Sequence, residues 1–211
     1  MPRLRLAVLV SGRGSNLESL LAASQAGRMD ADVALVVSNK ADVPAVAIAR
    51  AAGIETRIVP SEDVERAEHE RRMIVAIDAV HPDLVALAGY MRILGPAFIA
   101  RYQGRLVNIH PSLLPAFPGL DAQGQAHARG VRVAGCTTHL VTTDVDAGPI
   151  LAQAALAVDP AWSVDELRER ILALEHELYP MSIHMLATGE ARLDGARVVI
   201  TRPAAIFEGA R

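Results

Sequence analysis

A wholly apolar run, Leu6-Ala7-Val8-Leu9-Val10, passes directly into Ser11-Gly12-Arg13-Gly14-Ser15-Asn16 and then into an amphipathic segment over residues 17–26. A strand without polar positions has no face for water, so it belongs inside a sheet covered by helices on both sides. The alternation repeats. Residues 33–37, 55–59 and 84–88 read as further buried strands, and residues 43–52, closed by Gly53, as a helix between two of them. Residues 63–80 read as a long helix whose core stripe is Met73, Ile74 and Ile77 and most of whose charges form a solvated face. This order predicts an α/β fold with a Rossmann-like, mostly parallel sheet. With 211 residues and 51% hydrophobic content, a single domain is expected.

The second half departs from that alternation. Residues 106–109 favour a strand, and its period of two turns Asn108 and His110 to the same face. Pro111 ends the strand, while Pro115 and Pro118 stiffen the loop that follows. After a short helix over residues 121–130, residues 134–141 and 151–158 are expected to pair across the turn at 144–149, giving an antiparallel C-terminal extension. Ser163-x-x-Glu166 is a capping box opening a helix to residue 186, with Leu167, Ile171, Leu174 and Leu178 at helical spacing. Asp194-Gly195 marks a last turn before an edge strand over residues 196–201.

Chemistry concentrates at the strand ends. Gly12 and Gly14 before a helix make an anion cradle, because backbone N–H groups and the helix terminus both carry partial positive charge. A dinucleotide fingerprint would need glycine where Leu17 stands, and the Gly-Lys-Ser/Thr of a P-loop is absent. Ser38-Asn39-Lys40 also sits at a strand end, where a simple turn explains it equally well. Asn108 and His110 alone could cap loop carbonyls, but three prolines and the downstream carboxylate of Asp146 favour a site. An amide for a developing oxyanion, an imidazole and an acid that favours its protonated form are the parts for moving an acyl group between amines. His127 and His139 lack zinc spacing, so no metal is expected, and His139 reads as a supporting histidine of its strand. The single cysteine, Cys136, reads as a small buried residue. A net charge of −3 gives no footprint for nucleic acid, and five apolar residues before Ser11 are too few for a leader or a membrane span, so a cytoplasmic protein is expected.

The runs Asn108-Ile109-His110-Pro111-Ser112-Leu113-Leu114-Pro115 with Pro118-Gly119, and Asp146-x-Gly148-Pro149-Ile150, resemble the folate-dependent formyltransferases over residues 8–180. The resemblance is closest to the branch that formylates glycinamide ribonucleotide in purine synthesis, with 10-formyltetrahydrofolate as co-substrate. It implies Asn108, His110 and Asp146 as catalytic. Gly14, Ser15, Asn16, Met91, Asn108 and Glu175 would hold the ribonucleotide, and Arg66, Arg92, Ile93, Leu94, Val141 and Asp146 the folate. Residues 1–100 would form a Rossmann-like phosphate-binding half and residues 101–211 a catalytic and folate-binding half. The partners would be small molecules, and the protein a monomer or homodimer. The sequence departs from the pattern at residues 121–124, where histidine is common, and at Leu140, where an aromatic is usual; both positions are expected at the border of the pocket. The competing readings are a formyltetrahydrofolate hydrolase, a formyltransferase acting on initiator tRNA, and a folate- or nucleotide-binding module without catalysis.

Overall fold

The alternation of side chains along the first strand sorts the whole core. In this computed structural model, which describes residues 3–201 and 205–208, Leu6, Val8 and Val10 of β1 (Leu4–Val10) face one side and Ala7 and Leu9 the other. The first set packs with Leu17 and Leu20 of α1 (Ser15–Gln25) and Ala45 and Ala49 of α2 (Pro44–Ala51). The second packs with Met73 and Ile77 of α3 (Arg66–Asp78) and Phe98 of α4 (Pro96–Arg101). Helices therefore cover both faces, as an apolar strand requires.

Beside β1 lie β2 (Ala31–Ser38), β3 (Thr56–Ile58), β4 (Leu84–Leu87) and β5 (Leu106–His110), all parallel. The sheet then reverses. β6 (Val133–Leu140) runs antiparallel to β5, and β7 (Ile150–Ala157) antiparallel to β6. β10 (Ala205–Glu208) completes the order β10-β7-β6-β5-β4-β1-β2-β3 by pairing parallel to β7. The α/β sheet with an antiparallel extension is thus as the sequence predicts.

Its far edge is not. The strand expected over 196–201 is β9 (Arg197–Ile200), which pairs with β8 (Ala191–Asp194) in a separate two-stranded sheet. A four-residue strand beside an Asp-Gly turn finds its partner locally before it can compete for a distant edge. Residues 96–101 form a short helix that the sequence reading did not include, opened by Pro96 at its first turn.

α5 (Ala122–Ala128) precedes β6, and α6 (Val164–Thr188) crosses the sheet. Ser163 and Glu166 form the expected capping box, the Ser163 N–H donating to Glu166 Oε2 at 2.7 Å. Leu167, Ile171, Leu174 and Leu178 pack on Cys136, Ala152 and Ala154 of β6 and β7. Next to Leu178, the buried Tyr179 hydroxyl lies 3.0 Å from the Leu87 carbonyl and 3.1 Å from that of Val107. Those carbonyls belong to β4 and β5, the strands that deliver the two loops described next. Among the described residues no helix is long and apolar enough to cross a membrane.

Candidate active site

The carboxyl ends of β1, β4, β5 and β6 open onto one cleft of about 890 Å³, the place where ligands of such sheets bind. From the β1 side come Gly14, Ser15 and Asn16; Met91, Arg92, Ile93 and Leu94 come from the loop after β4. β5 contributes Asn108 and His110, the segment after β6 contributes Val141 and Asp146, and α6 contributes Glu175. Arg66 is the exception: it is exposed on the first turn of α3 and is not among the lining residues.

Gly14 has a left-handed φ of 86°, and a Cβ there would lie 2.7 Å from the Ala45 Cα, so glycine is required where α1 begins. Asn16 Nδ2 donates to Glu175 Oε2 at 2.7 Å. Burial pushes the Glu175 carboxyl up to about 7, against the opposing pull of that hydrogen bond and of Arg13. Asn16 Oδ1 is buried without a hydrogen-bond partner among the described residues.

One corner of the cleft holds Asn108, His110, Asp146 and a further histidine, His139. His110 Nε2 lies 2.9 Å from the Phe117 carbonyl, so that nitrogen carries the proton and Nδ1 is left for exchange. Nδ1 faces Asp146 Oδ2 at 3.4 Å. Asp146 sits in a left-handed turn with φ 52°, a conformation that Asp tolerates, and its Oδ2 accepts the Gly119 N–H at 2.8 Å. His139 Nδ1 lies 3.1 Å from the Leu140 carbonyl, which places its proton on Nδ1. Its Nε2 lone pair then accepts from Asn108 Nδ2 at 3.2 Å. Desolvation lowers the pKa of His139 and keeps the ring neutral for that task. The contact orients the Asn108 amide, whose second N–H remains available.

The loop after β5 is stiff for reasons beyond its prolines. Thr137 Oγ1 donates to the Ser112 carbonyl at 2.7 Å and accepts the Leu114 N–H at 3.0 Å. The loop after β4 is pinned too: the Gly95 N–H donates to Glu70 Oε1 at 2.7 Å. Glu70 was expected on the solvated face of its helix but is buried. Its spacing to Met73 and Ile77 was the available signal, since all three lie on one stripe.

The formyl transferase family matches residues 4–183. The chain belongs to that family. The phosphoribosylglycinamide formyltransferase of Escherichia coli is 41% identical over 203 residues, covering 92% of this chain and 96% of that protein. The structure of glycinamide ribonucleotide transformylase 1 from Symbiobacterium toebii superposes with a TM-score of 0.92 at 43% identity, covering 95% of each chain. A formyltetrahydrofolate deformylase from Burkholderia mallei is more distant in sequence, with a TM-score of 0.87 and 31% identity, covering 95% of this chain and 70% of that one.

Against this formyl transferase background the two sequence departures part company. Asp121 lines the cleft, but Leu140 is not among the lining residues and is buried in the core, as strand alternation requires between His139 and Val141. The Cys136 thiol is buried, and desolvation pushes its pKa up, away from thiolate reactivity. No group of three or more His, Cys, Asp or Glu among the described residues is arranged to hold a metal.

Proposed function

We propose that the protein transfers the formyl group of 10-formyltetrahydrofolate to the primary amine of 5'-phosphoribosylglycinamide, giving formylglycinamide ribonucleotide and tetrahydrofolate in de novo purine synthesis. The observation that carries this reading is the meeting of Asn108, His110 and Asp146 between a glycine loop and an apolar loop. The family and the two transformylases support it.

In this reading the glycine loop at 12–16 takes the phosphate, and Asn16 and Glu175 take the sugar end. Ile93, Leu94 and Val141 flank a flat ring, with Arg92 beside them. Met91 sits where the two ligands meet. The free N–H of Asn108 donates to the formyl oxygen, and one such donor is worth on the order of 3 kcal/mol as the oxyanion forms. The amine nitrogen attacks the formyl carbon, and the bond from that carbon to the folate nitrogen breaks. One proton leaves the attacking amine and one reaches the departing nitrogen; His110 Nδ1 and Asp146 share this traffic. No covalent intermediate on the enzyme is needed, because a neutral amine held in place is nucleophile enough.

Arg66 contributes to folate only if the ligand extends beyond the cleft, so Arg66→Ala is expected to change the KM for formyl-folate by less than about threefold, the scale of an exposed charge. Likeness to the deformylase favours a second reading, attack by water with release of formate. A coupled assay separates the two: transfer requires ribonucleotide-dependent tetrahydrofolate formation, whereas formate release at equal rate without ribonucleotide would establish hydrolysis.

A further inference from the structure

Behind the cleft, a buried polar chain links the carboxyl ends of β1 and β2 to the segment after β3. The Met91 N–H donates to Ser11 Oγ at 3.0 Å, and the Ser11 hydroxyl donates to Asn39 Oδ1 at 2.7 Å. Asn39 Nδ2 donates to Ser61 Oγ at 3.0 Å, and Arg92 Nη1 returns to the Ser61 carbonyl at 3.3 Å. The circuit begins and ends on adjacent residues of the loop after β4. Ser11, Asn39 and Ser61 are 5%, 6% and 8% exposed, and none of them lines the cleft.

Apolar side chains could fill this corner without the cost of desolvating three polar groups, so stability alone does not account for them. What the chain provides is a separation. Ser11 immediately precedes the glycine loop, whereas Met91 and Arg92 begin the wall that continues into Ile93 and Leu94. Asn39 accepts from the Ser11 hydroxyl through Oδ1 and donates to Ser61 Oγ through Nδ2, so its amide is the link between the two serines. At its far end the same wall is held by Glu70 through Gly95. Losing the chain at Ser11 therefore frees one end of a loop whose other end stays fixed.

We propose that Asn39 is a positioning residue for the transfer reaction: through Ser11 and Ser61 it sets the distance between the phosphate-side loop at 12–16 and the cofactor-side loop at 91–94. This rests on the formyl-transfer reading above. Asn39→Leu, similar in volume, is expected to raise the KM for formyl-folate about tenfold while kcat falls less than about threefold, the scale of one buried hydrogen-bonded link. Ser11→Ala is expected to match it, and the double variant to be no worse than the worse single, because both cut the same chain. Exchange of the Met91 amide is expected to quicken about tenfold with β1 and β4 amides unchanged.

A formyl-folate KM within about twofold of wild type, or single effects that simply multiply in the double variant, would overturn the proposal. Should Asn39→Leu not fold, Ser61→Ala retains the carbonyl that Arg92 uses. It is expected to raise the same KM about threefold and to quicken Met91 exchange, and wild-type values for both would overturn the proposal equally. Absence of turnover in the wild-type protein would instead remove the transfer reading, and the exchange measurement would still decide the loop's anchoring.

Discussion

Two aspartates face this cleft with nearly the same backbone and opposite surroundings. Asp146 has φ 52° and Asp121 φ 51°, but the Asp146 carboxylate accepts the Gly119 N–H, whereas Asp121 caps α5 without a side-chain hydrogen bond to the helix backbone. Asp146 has a histidine beside it and a side chain 11% exposed; Asp121 has Arg168 at 2.8 Å and a side chain 61% exposed. The left-handed turn is common to both, so it does not single out the aspartate proposed to act in the reaction. Burial does: a carboxylate shielded from water beside a group of tunable charge can direct a proton, whereas one paired with a permanent guanidinium in solvent can only hold a shape.

The sharpest way to break this contrast is to remove each charge without changing shape. Asp146→Asn is expected to lower kcat at least about a hundredfold at saturating substrates, as loss of proton management does, and His110→Ala to fall in the same range. Asp121→Asn is expected to keep kcat within about twofold, since Asn also tolerates the left-handed turn. Single-turnover rates in proteins of unchanged circular dichroism check both. Near-wild-type chemistry in Asp146→Asn would end the distinction between the two aspartates, and with it the assigned role.

A second test uses the buried acid on the opposite wall. The folded pKa of Glu175 is raised from 4.5 to about 7, so the folded state holds its proton more tightly than the unfolded chain does. The associated stability is fully present below pH 4.5 and is lost as pH rises through about 7, a change of at most about 3 kcal/mol. His139, whose pKa is lowered, works in the other sense: its contribution is present above the ordinary histidine range and is lost as pH falls. Denaturant titrations of wild type and Glu175→Gln across that interval isolate the carboxyl, and the difference between the two curves is expected to rise with pH. A flat difference would mean that Glu175 is already solvated through the open cleft.

How much of this was legible in the sequence follows from which forces are local. Apolar runs ending in glycine or proline placed β1, β4 and β5, and the alternation of Asn108 and His110 put both on the cleft side. Asp146 was reachable because its loop is short and the strands before and after it pair. Glu70, Ser11 and Ser61 were not singled out, because a buried polar side chain is defined by partners distant in the chain: 25 residues separate Glu70 from Gly95 and 80 separate Ser11 from Met91. The placement of β9 was missed for the opposite reason, since its local turn outweighed the sheet edge. Arg66 was assigned by resemblance alone, and in the fold it stands away from the cleft.

The smallest effect sharpens the comparison from the rim. Arg168 bridges Asp121 and Asp165, at 2.8 Å each, with both carboxylates well exposed, where screening removes most of the value of an ion pair. Arg168→Ala is therefore expected to leave kcat and the melting temperature at wild-type values and to move only the salt dependence of the KM values, by about twofold between low and physiological ionic strength. Gly124→Ala reaches the same turn more severely, because a Cβ there would lie 2.1 Å from Asp121 Oδ2 and must displace the carboxylate. If the displaced carboxylate matters only for shape, Gly124→Ala raises KM more than Arg168→Ala while kcat stays level. A fall in kcat in either variant, measured with both substrates saturating, would mean that Asp121 takes part in the chemistry after all, and that exposure does not separate the two aspartates.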